Sequence, residues 1–466
     1  MNVEPKVLLI NPPSRALAYD RHGRAGIARV HPSLGLASLA ARVREHIPVR
    51  ILDLNVETDP ERSLKNTVTS FAPTHVGVTA TTPQVPDALK VLQIVKKIAP
   101  ACITIVGGPH ASALPDEVAA NANVDLAVIG EGEETFAELL VKPPAEVAGV
   151  CFKDGGKTVR TQSRPLIENL DTLPYPAWDL YDLKRYRAPV AVERHPPGGL
   201  METSRGCPHD CTFCSKVPFG RHYRIKSVNR VVEEFKYMQS VGFREIHVED
   251  DGFSEDIVRA KEICRALAAS SVRIPWNLLN GVRVDRFDAE LARLLVSAGC
   301  YQCGFGIESG GNSILENIGK CTTSDMVREA VSIAKQTGLE TIGYFVIGLP
   351  GDTEDSLYET LDFACNLPLD YAKFSLFVPY PGSKTFDELN GAGRILTRDW
   401  SVYLYHDLEH EVFRHESLSK AVLAGFYKKA YRRFYLRLPY MLRRLADGLR
   451  KGTLLRMLHD FTLTRW

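Results

Sequence analysis

TSRGCPHDCTFCSKV, residues 203–217, sets Cys207, Cys211 and Cys214 at C-x-x-x-C-x-x-C spacing. Iron–sulfur clusters are held by four cysteines, so a loop that offers only three leaves one iron of a 4Fe-4S cube open to a non-protein ligand. A zinc site is the alternative. Zinc loops close with C-x-x-C pairs or with histidines at set distances, and His209 and His222 stand inside and just after the loop.

Downstream of this loop, short β-branched runs alternate with helix-length segments. Strands are predicted at Leu200–Ser204, Glu245–Glu249, Trp276–Val282, Tyr301–Ile307, Thr341–Ile347 and Ala372–Val378. The intervening helices are Val228–Gln239, Glu255–Ala268, Ala289–Ser297, Thr323–Gln336 and Glu354–Cys365. Several open on capping oxygens such as those of Ser254, Asp288 and Thr353. Six parallel βα units predict a partial barrel, open on one side, with its site at the carboxyl ends of the strands. Polar and turn residues gather there: Asp250 and Asp251, Arg283, Glu308 in a G-x-E-S-G run, and Pro350 in a G-L-P-G turn. Singly, each also reads as a solvated loop residue.

Upstream, the same rhythm opens the chain. Strands at Lys6–Ile10, Val49–Leu54, His75–Thr79, Cys102–Val106 and Asp125–Ile129 alternate with helices at Leu36–His46, Glu61–Phe71, Gln84–Ile98, Pro115–Ala122 and Glu134–Leu140. Apolar strands alternating with helices predict an α/β fold with a doubly wound parallel sheet, whose ligands sit at the strands' carboxyl ends. The residues at those ends are Asn11-Pro12-Pro13, Thr79-Ala80-Thr81-Thr82, Gly107-Gly108-Pro109-His110 and Gly130-Glu131-Gly132-Glu133. Glycines there let backbone approach a large ligand and threonines offer hydroxyls. No G-x-G-x-x-G follows the first strand, which argues against a nicotinamide dinucleotide.

The organisation read from these patterns is a Rossmann-like domain at 1–142, a proline-rich connector at 143–198, the barrel at 199–386 and a basic, aromatic-rich helical region at 387–466. A formal net charge of +1 over 466 residues gives no global bias towards nucleic acid. The first apolar run, VLLI, is too short for a signal peptide or a spanning helix, so a cytoplasmic protein is expected. Seven further cysteines, scattered through apolar segments, read as buried small hydrophobes. Between Arg414 and Trp466, thirteen Lys and Arg stand against three Asp and Glu, with Phe426, Tyr427, Tyr431, Phe434, Tyr435 and Tyr440 interleaved. That tail reads either as helices packing an apolar stripe on the barrel beneath a solvated basic face, or as an interfacial element for anionic lipid.

The cysteine spacing, with Phe213 before the last cysteine, resembles the radical S-adenosylmethionine (SAM) enzymes. Joined to the upstream N-P-P, G-G-P-H and G-E-G-E turns, the chain is similar to the cobalamin-dependent members of that family from about residue 5 to 445. The resemblance implies a 4Fe-4S cluster on Cys207, Cys211 and Cys214, whose open iron is chelated by SAM's amino and carboxylate groups. Phe213, Asp250, Asp251, Arg283, Glu308 and Pro350 would surround SAM, with Glu308 on its ribose. Asn11, Thr79, Thr81, Gly107, Gly108, His110, Gly130 and Glu131 would hold cobalamin. The D-x-H-x-x-G motif that supplies a cobalt-ligating histidine is absent, since the second strand runs into Asp53-Leu54-Asn55-Val56-Glu57; His110 stays open as a lower ligand.

By the same resemblance, one electron from the cluster cleaves SAM to a 5′-deoxyadenosyl radical that attacks an unactivated carbon. C-methylation through methylcobalamin is the leading expectation, and ring formation or oxidation of the anaerobic cyclase kind is the alternative. The implied partners are a small-molecule substrate, lipid or tetrapyrrole in character, and an external reductant such as flavodoxin or ferredoxin. Peripheral contact with the membrane's inner face would come through the tail, and no nucleic acid is expected. A tRNA methylthiotransferase would carry three further cluster cysteines upstream, where this chain has only Cys102.

Overall fold

The computed structural model describes residues 4–14, 31–189, 191–450, 452, 454 and 455. The end of the basic tail, 456–466, lies outside them. The first sheet is built from β1 (Val7–Asn11), β2 (Val49–Asp53), β3 (His75–Thr79), β4 (Ile103–Gly107) and β5 (Leu126–Val128), in the order β2-β1-β3-β4-β5 and all parallel. Its strands are apolar on both sides because helices cover both faces. Val7, Leu8, Leu9 and Ile10 have no exposed surface. The chain order reverses direction between β1 and β3, so Asn11 and Thr79 flank the switch point at which such sheets bind ligands.

The connector contributes more than linkage. β6 (Val150–Asp154) and β7 (Lys157–Arg160) form an antiparallel hairpin on β5, extending this sheet to seven strands. Gly155 and Gly156, both at positive φ, supply its tight turn.

The second sheet is a six-stranded parallel arc. It comprises β8 (Gly198–Met201), β11 (Glu245–Val248), β12 (Trp276–Val282), β13 (Cys300–Glu308), β14 (Glu340–Ile347) and β15 (Tyr371–Leu376), which neighbour one another in chain order. A short ribbon, β9 (Ser204–Arg205) on β10 (Arg224–Ile225), interrupts the expected first strand and closes the base of the cysteine loop. The expected helices form within a residue or two at most ends. Helix Ile257–Ala269 is capped by Asp256 rather than Ser254, because the Asp256 side chain accepts from the Arg259 amide.

The two sheets share a core. One apolar cluster runs from Leu8, Val78 and Val106 of the first sheet to Leu349, Phe377, Phe386, Trp400 and Tyr403 of the barrel's carboxyl rim and the chain after it. The carboxyl ends of both sheets are therefore packed towards one seam.

The tail forms two helices, one packed on the barrel and one that leaves apolar side chains exposed. Helix Lys420–Tyr435 lies on the open edge strand β15, where the Tyr431 and Tyr435 hydroxyls bond the main-chain groups of Phe374 and Ala372. Aromatic hydroxyls thus occupy an edge that would otherwise offer unpaired backbone. Helix Leu438–Arg450 buries Tyr440 and Arg444 against the barrel and turns its leucines outward. Leu438, Met441, Leu442, Leu445 and Leu449 are all exposed. Among the described residues no helix is long and apolar enough to cross a membrane.

Candidate active site

The cysteine loop is held from three sides. Gly206 opens it at φ +84°, and a Cβ there would collide with the carbonyl oxygen of His222, so only glycine fits. The Thr212 amide donates to the Ile318 carbonyl at 3.0 Å, the Thr385 amide to the Thr212 carbonyl at 3.0 Å, and Ser215 Oγ to the Pro381 carbonyl at 3.0 Å. All ten cysteines are free thiols, and the three of the loop are partly exposed.

Geometry decides between zinc and a cube. Among the described residues, the only three His, Cys, Asp or Glu ligand atoms within 4.8 Å of one another belong to His31, Glu193 and His247. The three loop thiols are not such a trio: at least one pair of them lies more than 4.8 Å apart, whereas the thiolates of one tetrahedral zinc, at about 2.3 Å per bond, sit about 3.8 Å apart. His209 Nε2 is 2.7 Å from Glu255 Oε2, and His222 Nδ1 is 3.6 Å from Glu168, so each histidine has a carboxylate partner in the protein. Three cysteines on one loop, with both nearby histidines already partnered, fit the four-iron cube better than a four-ligand zinc site.

Around the loop, the acidic and basic residues divide into braces and mouth. Asp250 is buried, accepting from the Thr203 amide, from Thr203 Oγ1 at 2.5 Å and from Ser204 Oγ at 2.7 Å. Burial raises its carboxyl above the ordinary range against the pull of those bonds. Asp250, expected beside SAM, pins the strand that leads into the loop. Asp251 is exposed at the mouth and accepts from the Gly206 amide at 3.3 Å. Arg283 is committed to Asp285 by two 3.0 Å bonds and so is not free to clamp a SAM carboxylate without giving these up. Glu308 ends β13 at φ +64° with Oε1 2.8 Å from Lys320 Nζ. Burial works against the charge on Lys320, but Glu308 and Cys211 hold it above the usual lysine range. Lys320 went unnoticed in the sequence, where a lysine after Gly319 in a short turn reads as a solvated charge. Pro350 offers its carbonyl to Asn317 Nδ2 at 2.7 Å. Phe213 packs at the edge of the shared apolar cluster.

The cradle at the first sheet is built from the four turns. A Cβ on Gly107 would meet only Val128 Cβ at 3.9 Å, and one on Gly130 would meet nothing within 4 Å. Both therefore border open space into which a flat ligand can be laid. Gly108 differs. At φ +97° its Cβ would press on the Ala80 carbonyl and Thr79 Oγ1, each at 3.0 Å, so it serves the fold itself. The Asn11 side chain bonds Asp53, and Thr81 Oγ1 donates to Gln84 Oε1 at 2.8 Å, which fixes the β3 turn. Glu131 points away from the cradle towards Arg205 and Arg224.

His110 is 1% exposed, bonded through Nδ1 to Thr82 Oγ1 at 3.2 Å and set edge-on to Trp400 with ring centroids 5.0 Å apart. Its Nε2 has no accessible surface, so it does not reach a metal in the cradle as arranged. Burial lowers its pKa to about 4. Below about pH 6.5 the unfolded chain takes up a proton that the folded state refuses, so this stability is present above pH 6.5 and lost as pH falls towards 4. The loss should reach about 2 kcal/mol by pH 5. Urea midpoints at pH 7 and 5 should show it, and His110→Gln should remove it; an unchanged pH response would show that another group governs acid stability.

Residues 23–140 match the B12 binding domain and residues 201–364 the Radical SAM superfamily. A methyltransferase of Pyrococcus horikoshii, itself uncharacterised, is 36% identical over 444 residues, which is 93% of each chain. The chain belongs to the cobalamin-binding radical SAM enzymes. The anaerobic magnesium-protoporphyrin IX monomethyl ester cyclase of Rubrivivax gelatinosus is 27% identical over 90% of this chain and 76% of its own. Among solved structures, the radical SAM methyltransferase TsrM of Kitasatospora setae, with cobalamin and a 4Fe-4S cluster bound, shares the fold. Its TM-score is 0.69 at 21% identity, covering 84% of this chain and 78% of that one.

The B12 binding match covers β2 to β5 of the first sheet and the turns at 79–82, 107–110 and 130–133, and the radical SAM match covers the cysteine loop and strands β11 to β14 of the arc. A 4Fe-4S cluster, SAM and cobalamin are the cofactors of this enzyme. The three free, partly exposed thiols of the loop and the open faces of Gly107 and Gly130 fit the first and the last of these.

Proposed function

We propose that this radical SAM enzyme transfers a methyl group from SAM, by way of cobalamin, to an unactivated carbon of an apolar small molecule that it meets at a membrane surface. The observation that supports methyl transfer is the seam: the carboxyl ends of the two sheets approach one another across one apolar cluster, which would set the two proposed cofactor sites side by side. The relative that spans 93% of this chain is also called a methyltransferase. When bound, a cluster would supply the electron for SAM cleavage and a corrinoid would carry the methyl group.

The protein's own part is positioning. Cys207, Cys211 and Cys214 would hold three irons; Gly206 fixes the loop that presents them, and Asp250 pins the strand beneath. Glu308, held by Lys320, would meet the ribose of SAM, with Asp251 beside the loop. Gly107 and Gly130 would give a corrinoid its floor. The shared apolar cluster excludes water from the seam, which protects a radical from quenching. A reductant from outside the chain must supply the electron.

Anaerobic reaction of the reconstituted, reduced enzyme with SAM should release both 5′-deoxyadenosine and S-adenosylhomocysteine, the latter only when cobalamin is loaded. If 5′-deoxyadenosine forms alone under every loading, the methyl reading fails and a cyclase-like reaction, as in the Rubrivivax relative, takes its place.

The outward leucine stripe of helix Leu438–Arg450 supports the membrane reading. Each buried leucine contributes about 1.5–3 kcal/mol and each basic residue near an anionic surface about 1 kcal/mol. Arg450, exposed at the end of the same helix, pairs with Asp447 at 2.9 Å. Replacing Leu442 and Leu445 by Glu should weaken co-sedimentation with anionic vesicles at least about tenfold. Wild-type protein that stays in the supernatant at low salt, where attraction is least screened, would make a soluble substrate the better choice.

A further inference from the structure

The base of the cysteine loop is fastened to the corrinoid cradle by buried charges. β9 and β10 face each other through Arg205 and Arg224, which are register partners. Arg205 Nη1 donates to Glu131 Oε1 at 2.8 Å, Nη2 to Glu133 Oε1 at 2.6 Å, and Nε to Glu202 Oε1 at 2.7 Å. Arg224 Nη1 reaches both oxygens of Glu131, at 2.9 and 2.8 Å, and the Ile167 amide adds a third donor at 2.7 Å. Three carboxylates and two guanidiniums are thus shut away from water, with Arg205 and Arg224 side chains 3% and 2% exposed.

Such a network is rigid. No fully buried nitrogen or oxygen of these five side chains lacks a hydrogen-bond partner, and moving one charge leaves another buried and uncompensated. Its two ends matter. Glu131 follows Gly130, whose open face borders the cradle, and Arg205 precedes Cys207 by two residues. A ligand that shifts the Gly130 turn must carry Glu131 with it, and Glu131 holds Arg205.

We propose that this clamp is a positioning device through which the occupancy of the corrinoid cradle is felt at the cluster loop, tuning how firmly the open iron holds SAM. It rests on the chain using both cofactors, as its family does. Arg205, Glu131 and Glu133 act through the cysteines and touch no reacting atom.

The neighbouring pair Lys226–Glu234 provides a control. It is equally buried, with Nζ to Oε2 at 2.9 Å, and Lys226 follows the same ribbon, but its carboxylate lies on helix Val228–Ser240 rather than on the cradle turn.

SAM dissociation constants should be measured on cluster-loaded protein with and without hydroxocobalamin. In the wild type, loading should change the constant by about fivefold or more, a typical coupling between sites. In Glu133→Gln and in Arg205→Lys, which retains the charge but loses the fork, that ratio should fall towards unity while iron and cobalamin contents stay at wild-type levels. Glu234→Gln should keep the wild-type ratio. A wild-type ratio of one, clamp variants that keep the full ratio, or a Glu234→Gln protein that loses it equally would overturn the proposal. Protein that takes up no cobalamin at all would sink the cradle itself, and the clamp with it.

Discussion

Cys207→Ala, Cys211→Ala and Cys214→Ala, each made singly, should reduce iron after anaerobic reconstitution to background and abolish 5′-deoxyadenosine formation. A cube held by three thiolates has no spare ligand, and two from a solvent-facing loop do not retain it. The loop itself should survive, because Gly206, Asp250 and the backbone bonds to Ile318, Thr385 and Pro381 hold it without metal. Cys321 is the sharper control. It is the one exposed cysteine, and it adjoins Lys320, which stands close enough to Cys211 to feel its charge. Cys321→Ala should keep full iron and full SAM cleavage. Iron lost from that variant would mean a fourth protein ligand, no open iron and no place for SAM to chelate; iron that survives all three loop substitutions would remove the site altogether.

The parts of this fold that were legible in sequence are those written locally. Strand β3 at His75–Thr79, strand β12 at Trp276–Val282 and helix Ala289–Ser297 form where periodicity and the Asp288 cap place them, because one face of each must be apolar wherever it packs. The glycines at the sheet's carboxyl edge were legible as a set, since no other residue permits a φ of +97° at Gly108 or an uncovered backbone at Gly107. What could not be read is which partner a charge chooses. Arg283 looks like a clamp for a carboxylate, but a carboxylate two residues on, Asp285, captures it. Glu131 sits in a turn that reads as a ligand loop, but its partners Arg205 and Arg224 arrive from more than seventy residues away. The tail shows the same limit: its basic and aromatic composition is plain, but the tyrosines face β15 and the leucines face outward because of an edge strand that no local pattern in the tail reveals.

Gly107→Leu should weaken cobalamin binding about a hundredfold or more, the equivalent of roughly 3 kcal/mol of overpacking that a rigid corrin cannot relieve. The fold should tolerate it, because the new side chain meets only Val128 at first contact and its φ lies outside the left-handed region. Gly108→Ala separates the two effects. At φ +97° and against the Ala80 carbonyl, the added methyl strains the β4 turn, so it should lower the melting temperature whether or not cobalamin is present. Titration with hydroxocobalamin, followed by bound corrin absorbance after gel filtration, reads the first variant, and thermal unfolding reads the second. Both proteins should keep a full cluster, since the loop's bonds to Ile318, Thr385 and Pro381 are untouched by either change. A Gly107→Leu protein that binds cobalamin as the wild type does would place the corrinoid elsewhere than at the carboxyl edge of the first sheet. With it would go the argument that both cofactors face one seam, and methyl transfer between them would lose its geometric basis.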